Sequence, residues 1–330
     1  MSLTTSKAEQ HTDDFQHLER MRLPERGVWE NAFRRFRRNR LSMFSLSIIL
    51  FVIVAAAVGP MMSPYKYTDQ NFSLLDRPPT FQHWLGTDEL GRDFLVRILL
   101  GARTAFFVAI ISQGLSYSIG VIVGGISAFV GGRVDAVIMR IADVFMAFPQ
   151  LLLAIFVSTV VRDPAAAAVF TIYERTQWEI LRNPVALDYV LVFGSLAIAS
   201  WPWSARVIRG QILTLREMDY VAAARALGGS PWSIIFRHLI PNAISPIIVS
   251  VTAGFGGAML AEASLSFLGI GIRPPGASWG GMINESVLGW RVHPHLIVVP
   301  GLVLAVCVFA FNTMGDGLND ALNPRSSSRV

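Results

Sequence analysis

The sequence predicts an all-α integral membrane protein with about six transmembrane helices. Hydrophobic residues make up 52% of the 330-residue chain and charged residues only 15%, against about 25% charged residues in a typical soluble domain. Six apolar segments approach or exceed the roughly 20 residues that a helix needs to cross a bilayer. Most basic residues lie beside these segments. These observations argue against a disordered chain, a soluble enzyme and a nucleic-acid-binding protein.

The six segments differ in how clearly they predict a transmembrane helix. The first contains no charged residue, and it is too long and lies too far into the chain for a cleavable signal peptide. The fourth is the weakest because Trp201, Pro202 and Trp203 interrupt it, so five spans remain the alternative count. The predicted spans are 42–62, 104–130, 134–161, 189–205, 244–270 and 296–314.

The distribution of basic residues predicts that both termini are cytosolic. With this orientation the inner segments hold 18 Lys and Arg residues and the outer segments hold 10. Cytosolic loops of membrane proteins carry such an excess. Several of the outer arginines stand close to Asp88, Glu89 and Asp93, which weakens their effect on orientation.

We expect four regions along the chain. Residues 1–42 form a cytosolic tail, and 43–103 comprise the first span and an external loop. The main membrane core is 104–318, with a cytosolic loop at 206–243, and 319–330 is a second cytosolic tail. We expect the first 25 or so residues, which are polar, to be disordered.

The end of the N-terminal tail has the pattern of an amphipathic helix. In WENAFRRFRRNR, Trp29, Phe33 and Phe36 fall on one helical face and arginines surround them. A helix of this kind suits the lipid headgroup region, so membrane lipid is an expected partner. The alternative is a solvated basic tail that only obeys the charge rule.

The membrane interior holds few groups that could drive transport. Neither of the two lysines lies in a phosphate-binding P-loop. Glu262 is the deepest carboxylate, either as part of a translocation path or as a packing residue bonded to serines such as Ser264 or Ser266. A secondary transporter working alone would need more relay residues than this one glutamate. No set of residues suggests a catalytic or metal site.

Small residues are concentrated in the second and fifth spans, where they permit close helix approach. The glycines are Gly120, Gly124, Gly125, Gly254, Gly256 and Gly257.

The cytosolic loop carries clear helix signals. We expect an Ala-rich helix over 216–227, stopped by Gly228, followed by a helix that Ser230 caps and Pro231 begins. Pro241 and Pro246 then lead into the fifth span. Such an exposed short helix suits docking on another protein, and a connector helix packed on the bundle is the alternative.

This loop resembles the coupling loop of binding-protein-dependent ABC importer permeases. That family's pattern is Glu-Ala-Ala, three residues, Gly, nine residues and then Ile-x-Leu-Pro. Here Ala222 replaces the Glu and His238 replaces the Ile, so the resemblance implies docking by shape without a salt bridge from the first position. The implied coupling residues are Ala222, Ala223, Ala224, Arg225, Gly228 and Pro241.

Four further stretches, 83–104, 129–154, 260–283 and 311–325, resemble the C-type permease of the dipeptide, oligopeptide and nickel subfamily. The resemblance implies a type I importer fold in a bacterial inner membrane. Implied partners are a homologous second permease, two cytosolic ATPases that bind ATP and Mg²⁺, and an extracytoplasmic solute-binding protein. This chain itself would bind no cofactor. The substrate stays open among peptides, nickel chelates, haem and oligosaccharides, and residues 162–188 are longer than the family pattern suggests.

Overall fold

The computed structural model describes residues 28–179 and 184–322, so the first 27 residues of the N-terminal tail lie outside the described residues. Within the described ranges the regular secondary structure is helical, apart from one isolated β-bridge between Thr87 and Asp93. The helices are α1 (Val28–Arg38), α2 (Arg40–Met62), α3 (Phe94–Val130), α4 (Gly132–Met146), α5 (Gln150–Thr176), α6 (Pro184–Arg216), α7 (Asp219–Ala226), α8 (Pro231–Ile234), α9 (Ile240–Phe267), α10 (Trp279–Ser286) and α11 (His295–Leu322).

Six of the described helical segments are long and apolar enough to cross a membrane, which confirms the predicted all-α class and number of spans. They are α2, α3, α5, α6, the segment that ends with α9, and α11. The fourth span, the weakest of the six in the sequence, is a continuous helix, because α6 runs unbroken through Pro202. Membrane helices tolerate an internal proline when neighbouring helices and hydroxyl side chains satisfy the freed carbonyl.

The predicted third span, 134–161, is also wrong. The chain forms two helices, α4 and α5, separated by Ala147, Phe148 and Pro149. Proline lacks an N–H and disfavours helical geometry in the residue before it, so the first helix ends there. Helix α5 then continues to Thr176. Most of the supposed external stretch 162–188 is therefore a helical extension.

Helices α3 and α6 pack side by side and run in the same direction. Thr104 Oγ1 lies 2.7 Å from Tyr189 Oη, and further along both helices Ser116 Oγ lies 2.7 Å from Ser204 Oγ. A Cβ on Gly124 would lie 2.3 Å from the carbonyl oxygen of Ala205. Glycine at this position is what allows the two backbones to approach.

Paired charges fix the loop between α2 and α3 to the bundle. Asp88 accepts hydrogen bonds from Arg92 Nε at 2.6 Å and Arg97 Nη1 at 2.5 Å. Arg97 also donates to Glu285 of α10, at 2.7 Å. All four side chains are largely buried. These arginines are therefore neutralised within the protein, in line with their expected weak effect on orientation.

Another arginine compensates for a proline in the first span. Pro60 lies inside α2, and its missing N–H leaves the carbonyl of Ala56 without the usual helical partner. Arg103 of α3 donates from Nε to this carbonyl at 2.6 Å and from Nη2 to the carbonyl of Ala57 at 2.9 Å. The arginine thereby joins the C-terminal end of α2 to α3.

The α3–α6 contact generates a test with a matched control. Gly124→Ala should lower the melting temperature of the detergent-purified chain, because overpacking against a backbone carbonyl costs about 1–3 kcal/mol. A Cβ on Gly125 meets no atom within 4 Å, so Gly125→Ala should be neutral or stabilising by up to about 1 kcal/mol. Equal melting temperatures for the two variants would contradict this packing.

Candidate functional site

A cavity of about 720 Å³ lies among α3, α6, α9 and the break between α4 and α5. Hydroxyl and amide groups project into it from several helices. In the described part of the chain, its lining contains no Asp, Glu, Lys, Arg or His side chain. The polar lining residues are Ser112, Gln113, Tyr117, Gln150, Ser200, Ser204 and Ser250. The cavity can therefore offer hydrogen bonds to a polar solute without a fixed charge.

Ion pairs hold α4 against α6 beside this cavity. Arg209 donates to both carboxylate oxygens of Asp135 at 2.5 Å, and Ser127 of α3 donates to the same carboxylate at 2.5 Å. The Arg209 hydrogen bonds lower the pKa of Asp135 to about 2. The stabilising contribution of this carboxylate is present above its ordinary pKa of 3.8 and is lost as the pH falls toward 2. A second pair joins Asp143 to Arg206.

The loop after α6 forms the expected short helix, α7, over Asp219–Ala226 rather than 216–227. Gly228 follows with a φ of +79°, and Gly229 N–H donates to the carbonyl of Ala224 at 3.0 Å. This is the left-handed termination that glycine adopts most easily. The Ser230 hydroxyl then accepts from Ser233 N–H at 3.2 Å, as its capping role requires.

Four of the predicted coupling residues lie in this helix but face different ways, while Gly228 follows it and Pro241 lies in α9. Ala222, Ala223 and Arg225 are exposed, and Ala224 is half-buried. The guanidinium of Arg225 lies 5.7 Å from the centre of the Phe129 ring. Their role in coupling stays a prediction.

Large apolar side chains around α7 are also exposed. Leu227 is 89% exposed, and Met218, Tyr220 and Trp232 are exposed as well. An exposed apolar group of this kind, rimmed by polar residues, is typical of a protein–protein contact.

The buried side of α7 connects with the cavity. Val221 is fully buried in a cluster that includes Ile208 and Ile212 of α6 and Tyr117 of α3. Tyr117 also lines the cavity. One packed cluster therefore includes residues of both the loop after α6 and the cavity wall.

Pro241 and Pro246 lie inside the helix of the fifth span, whereas the sequence predicted that they precede it. The chain remains helical from Pro231 to Phe267 and passes through a π-helical turn, Ile235–Leu239. Ile240 N–H bonds to the carbonyl of Ile235, five residues earlier. The wider turn allows the helix to continue although Pro241 has no N–H to donate. The expected span 244–270 therefore begins too late and ends three residues too far.

Glu262 lies in a helix interface and outside the cavity lining. It is 1% exposed, and its Oε1 accepts a hydrogen bond from Ser266 Oγ at 2.7 Å. The hydroxyl of Ser278, which caps α10, also bonds to it. Ser264 donates instead to the carbonyl of Leu260. This geometry favours the packing role for Glu262, and its part in a path stays a prediction.

Sequence reasoning missed the cavity residues and Val221. The glutamines at 113 and 150 were a usable signal, because amide side chains are uncommon in apolar spans and one follows Pro149 directly. The serines gave no such signal, since those within the described helices commonly bond to their own backbone, as Ser200 does to Leu196.

Comparison with known families gives two matches. Residues 116–328 match the family described as "binding-protein-dependent transport system inner membrane component". Residues 27–79 match the "N-terminal TM domain of oligopeptide transport permease C".

Characterised relatives cover nearly the whole chain. The oligopeptide transport system permease protein OppC of Bacillus subtilis is 38% identical over 90% of this chain and 90% of its own length. The dipeptide transport system permease protein DppC of the same organism is 36% identical over 92% and 87%. The glutathione transport system permease protein GsiD of Pectobacterium atrosepticum is 35% identical over 92% and 93%.

Among solved structures, an inward-facing form of the MetNI methionine ABC transporter shares the fold. The TM-score is 0.53 at 15% identity, over 69% of this chain and 96% of that chain. Together with the six spans, these matches make the chain an integral inner-membrane permease component of an ABC importer. It belongs to the family of binding-protein-dependent transport system inner membrane components.

Proposed function

We propose that this chain forms half of a translocation path for peptides or similar small solutes, and that cytosolic ATPases drive the path through α7. The packed cluster shared by Val221 and Tyr117 carries this proposal, because it joins the loop to the cavity wall. Within the described lining, the cavity lacks the charged relay that a proton-coupled transporter working alone would need.

The cavity chemistry suits a peptide. Its serine hydroxyls and glutamine amides both donate and accept hydrogen bonds, as the amide groups of a peptide do. The relatives' names denote oligopeptide, dipeptide and glutathione transport, and all three solutes contain peptide bonds. An uncharged lining also allows release, because no strong ion pair holds the solute in the path.

A second permease would complete the path against α4. Exposed apolar residues follow this helix and its end at alternating steps of three and four, the spacing of a helix–helix seam. They are Val134, Val137, Ile141, Val144 and Phe148. Met146 and Phe148 also border the cavity. We assign this face to the homologous permease subunit.

Transport then requires two states with different partner affinities. The ATPase pair closes on ATP and displaces α7, and the cluster around Val221 carries this displacement to α3 and α6. An extracytoplasmic binding protein delivers solute to the outer face. ATP and the loaded binding protein shift the equilibrium only by their different affinities for the inward- and outward-facing states.

The ATPase contact can be tested with two leucines on opposite sides of the bundle. Leu227→Ser should leave the chain folded and inserted, because this side chain is 89% exposed, but it should reduce ATPase co-purification roughly tenfold, as loss of an apolar anchor at an interface does. Leu288→Ser is the matched control, since Leu288 is 96% exposed on the opposite side. Equal ATPase recovery from both variants would overturn α7 docking.

The proposed orientation has a separate test by cysteine labelling. Cys307 is the single cysteine of the sequence. In a Cys307→Ser background, a cysteine introduced at an exposed position is therefore the only target for the reagent. A membrane-impermeant maleimide should label Gln70→Cys in intact cells and Ala226→Cys only after lysis. Labelling of position 226 from outside would place α7 beyond the reach of cytosolic ATPases.

A further inference from the structure

Helix α1 is attached to the bundle by only part of its apolar surface. Ala32 is 5% exposed, and Phe36 is half-buried. The Phe36 ring lies 3.5 Å from the position that a Cβ on Gly317 of α11 would occupy. Asn39 then caps α2 by accepting from Leu41 and Ser42 N–H groups. Helix α1 is therefore a separate helix held next to the inner ends of α2 and α11.

The rest of the apolar arc is more exposed. Trp29 and Phe33 are 53% and 67% exposed. With about 3.6 residues per turn, they lie on the same side of α1 as Ala32 and Phe36 but at the other edge of the arc. The apolar arc of α1 therefore extends beyond the part of the helix that packs on the bundle.

Arginines cover the opposite face of α1. Arg34, Arg37 and Arg38 are exposed, and Arg34 lies 3.6 Å from Glu30 in a solvent-exposed pair. The helix contains one acidic and four basic residues. An aromatic edge beside guanidinium groups, adjacent to the start of a membrane span, matches a phospholipid surface with phosphate groups above acyl chains.

We propose that α1 lies in the headgroup layer where α2 enters the membrane, and binds anionic phospholipid through its arginines while Trp29 and Phe33 enter the acyl region. That this leaflet is the cytosolic one rests on the orientation proposed above. Binding of anionic lipid would fix the angle at which the chain enters the bilayer. It would also hold α1 against Gly317 and the inner end of α11.

The experiment uses the full chain in vesicles. Phe33→Cys in the Cys307→Ser background is labelled with a fluorophore. The chain is reconstituted with acyl-brominated phosphatidylcholine, which quenches the label from within the membrane, either alone or mixed with phosphatidylglycerol. Quenching should be roughly threefold stronger with phosphatidylglycerol and should weaken with added salt, because the attraction is electrostatic.

Two double variants, each of which removes two positive charges, distinguish lipid binding by α1 from the effect of surface charge in general. Arg37→Gln/Arg38→Gln should abolish most of the phosphatidylglycerol effect. Arg133→Gln/Arg140→Gln, which removes two exposed arginines of α4, should retain it. The melting temperature of each variant checks that the fold is intact.

Two outcomes would overturn the proposal. Quenching that is equal with and without phosphatidylglycerol would show that α1 does not select anionic lipid. Quenching that disappears when the ATPases bind would show that a protein occupies this surface in the transporter. Because both leaflets have the same composition, the first outcome depends neither on the orientation of the chain nor on its ATPase contact.

Discussion

The parallel contact between α3 and α6 is the constraint on which the rest of the structure depends. Lipid is as apolar as a leucine side chain, so helices in a membrane associate through close packing and hydrogen bonds rather than through the hydrophobic effect. Gly120 and Gly124 let the α6 backbone approach at Ser204 and Ala205. This contact sets the two helices at the rotation that turns their serines toward one cavity.

Charge is distributed around this contact in a way that suits a transporter. At one end of the bundle, Asp88, Arg97 and Glu285 form a buried network that fixes the loop between α2 and α3. Toward the other end, Asp135 and Arg209 join α4 to α6. The cavity between these levels carries amides and hydroxyls and, within the described residues, no charged side chain. The bundle is thus held by ion pairs on either side of a region that can change shape without separating buried charges.

The sequence was sufficient for the features that depend on local chemistry. Apolar length predicted six spans, and Gly228 with Ser230 predicted the end of one cytosolic helix and the start of the next. Pro149 was visible as a helix breaker, but the continuous apolar run around it concealed the break between α4 and α5. Beyond its two glutamines the cavity was not predictable, because Ser112 and Ser250 come to line one cavity only through the rotation of packed helices. From the sequence, Val221 could not be distinguished from any other apolar residue of a short amphipathic helix. Only the structure places it in the cluster with Tyr117.

The central claim is that the cluster containing Val221 and Tyr117 joins ATPase movement to the cavity. The most direct measurement is the number of ATP molecules hydrolysed per solute imported by the reconstituted transporter with Val221→Ala. Removing two buried methyl groups from the cluster should loosen this connection. We expect Val221→Ala to leave ATPase attachment normal and to raise ATP consumption per solute several-fold. Val221→Ile, which keeps a large apolar side chain in the cluster, should keep the ratio normal. An unchanged ratio with Val221→Ala would show that force reaches the cavity by another route.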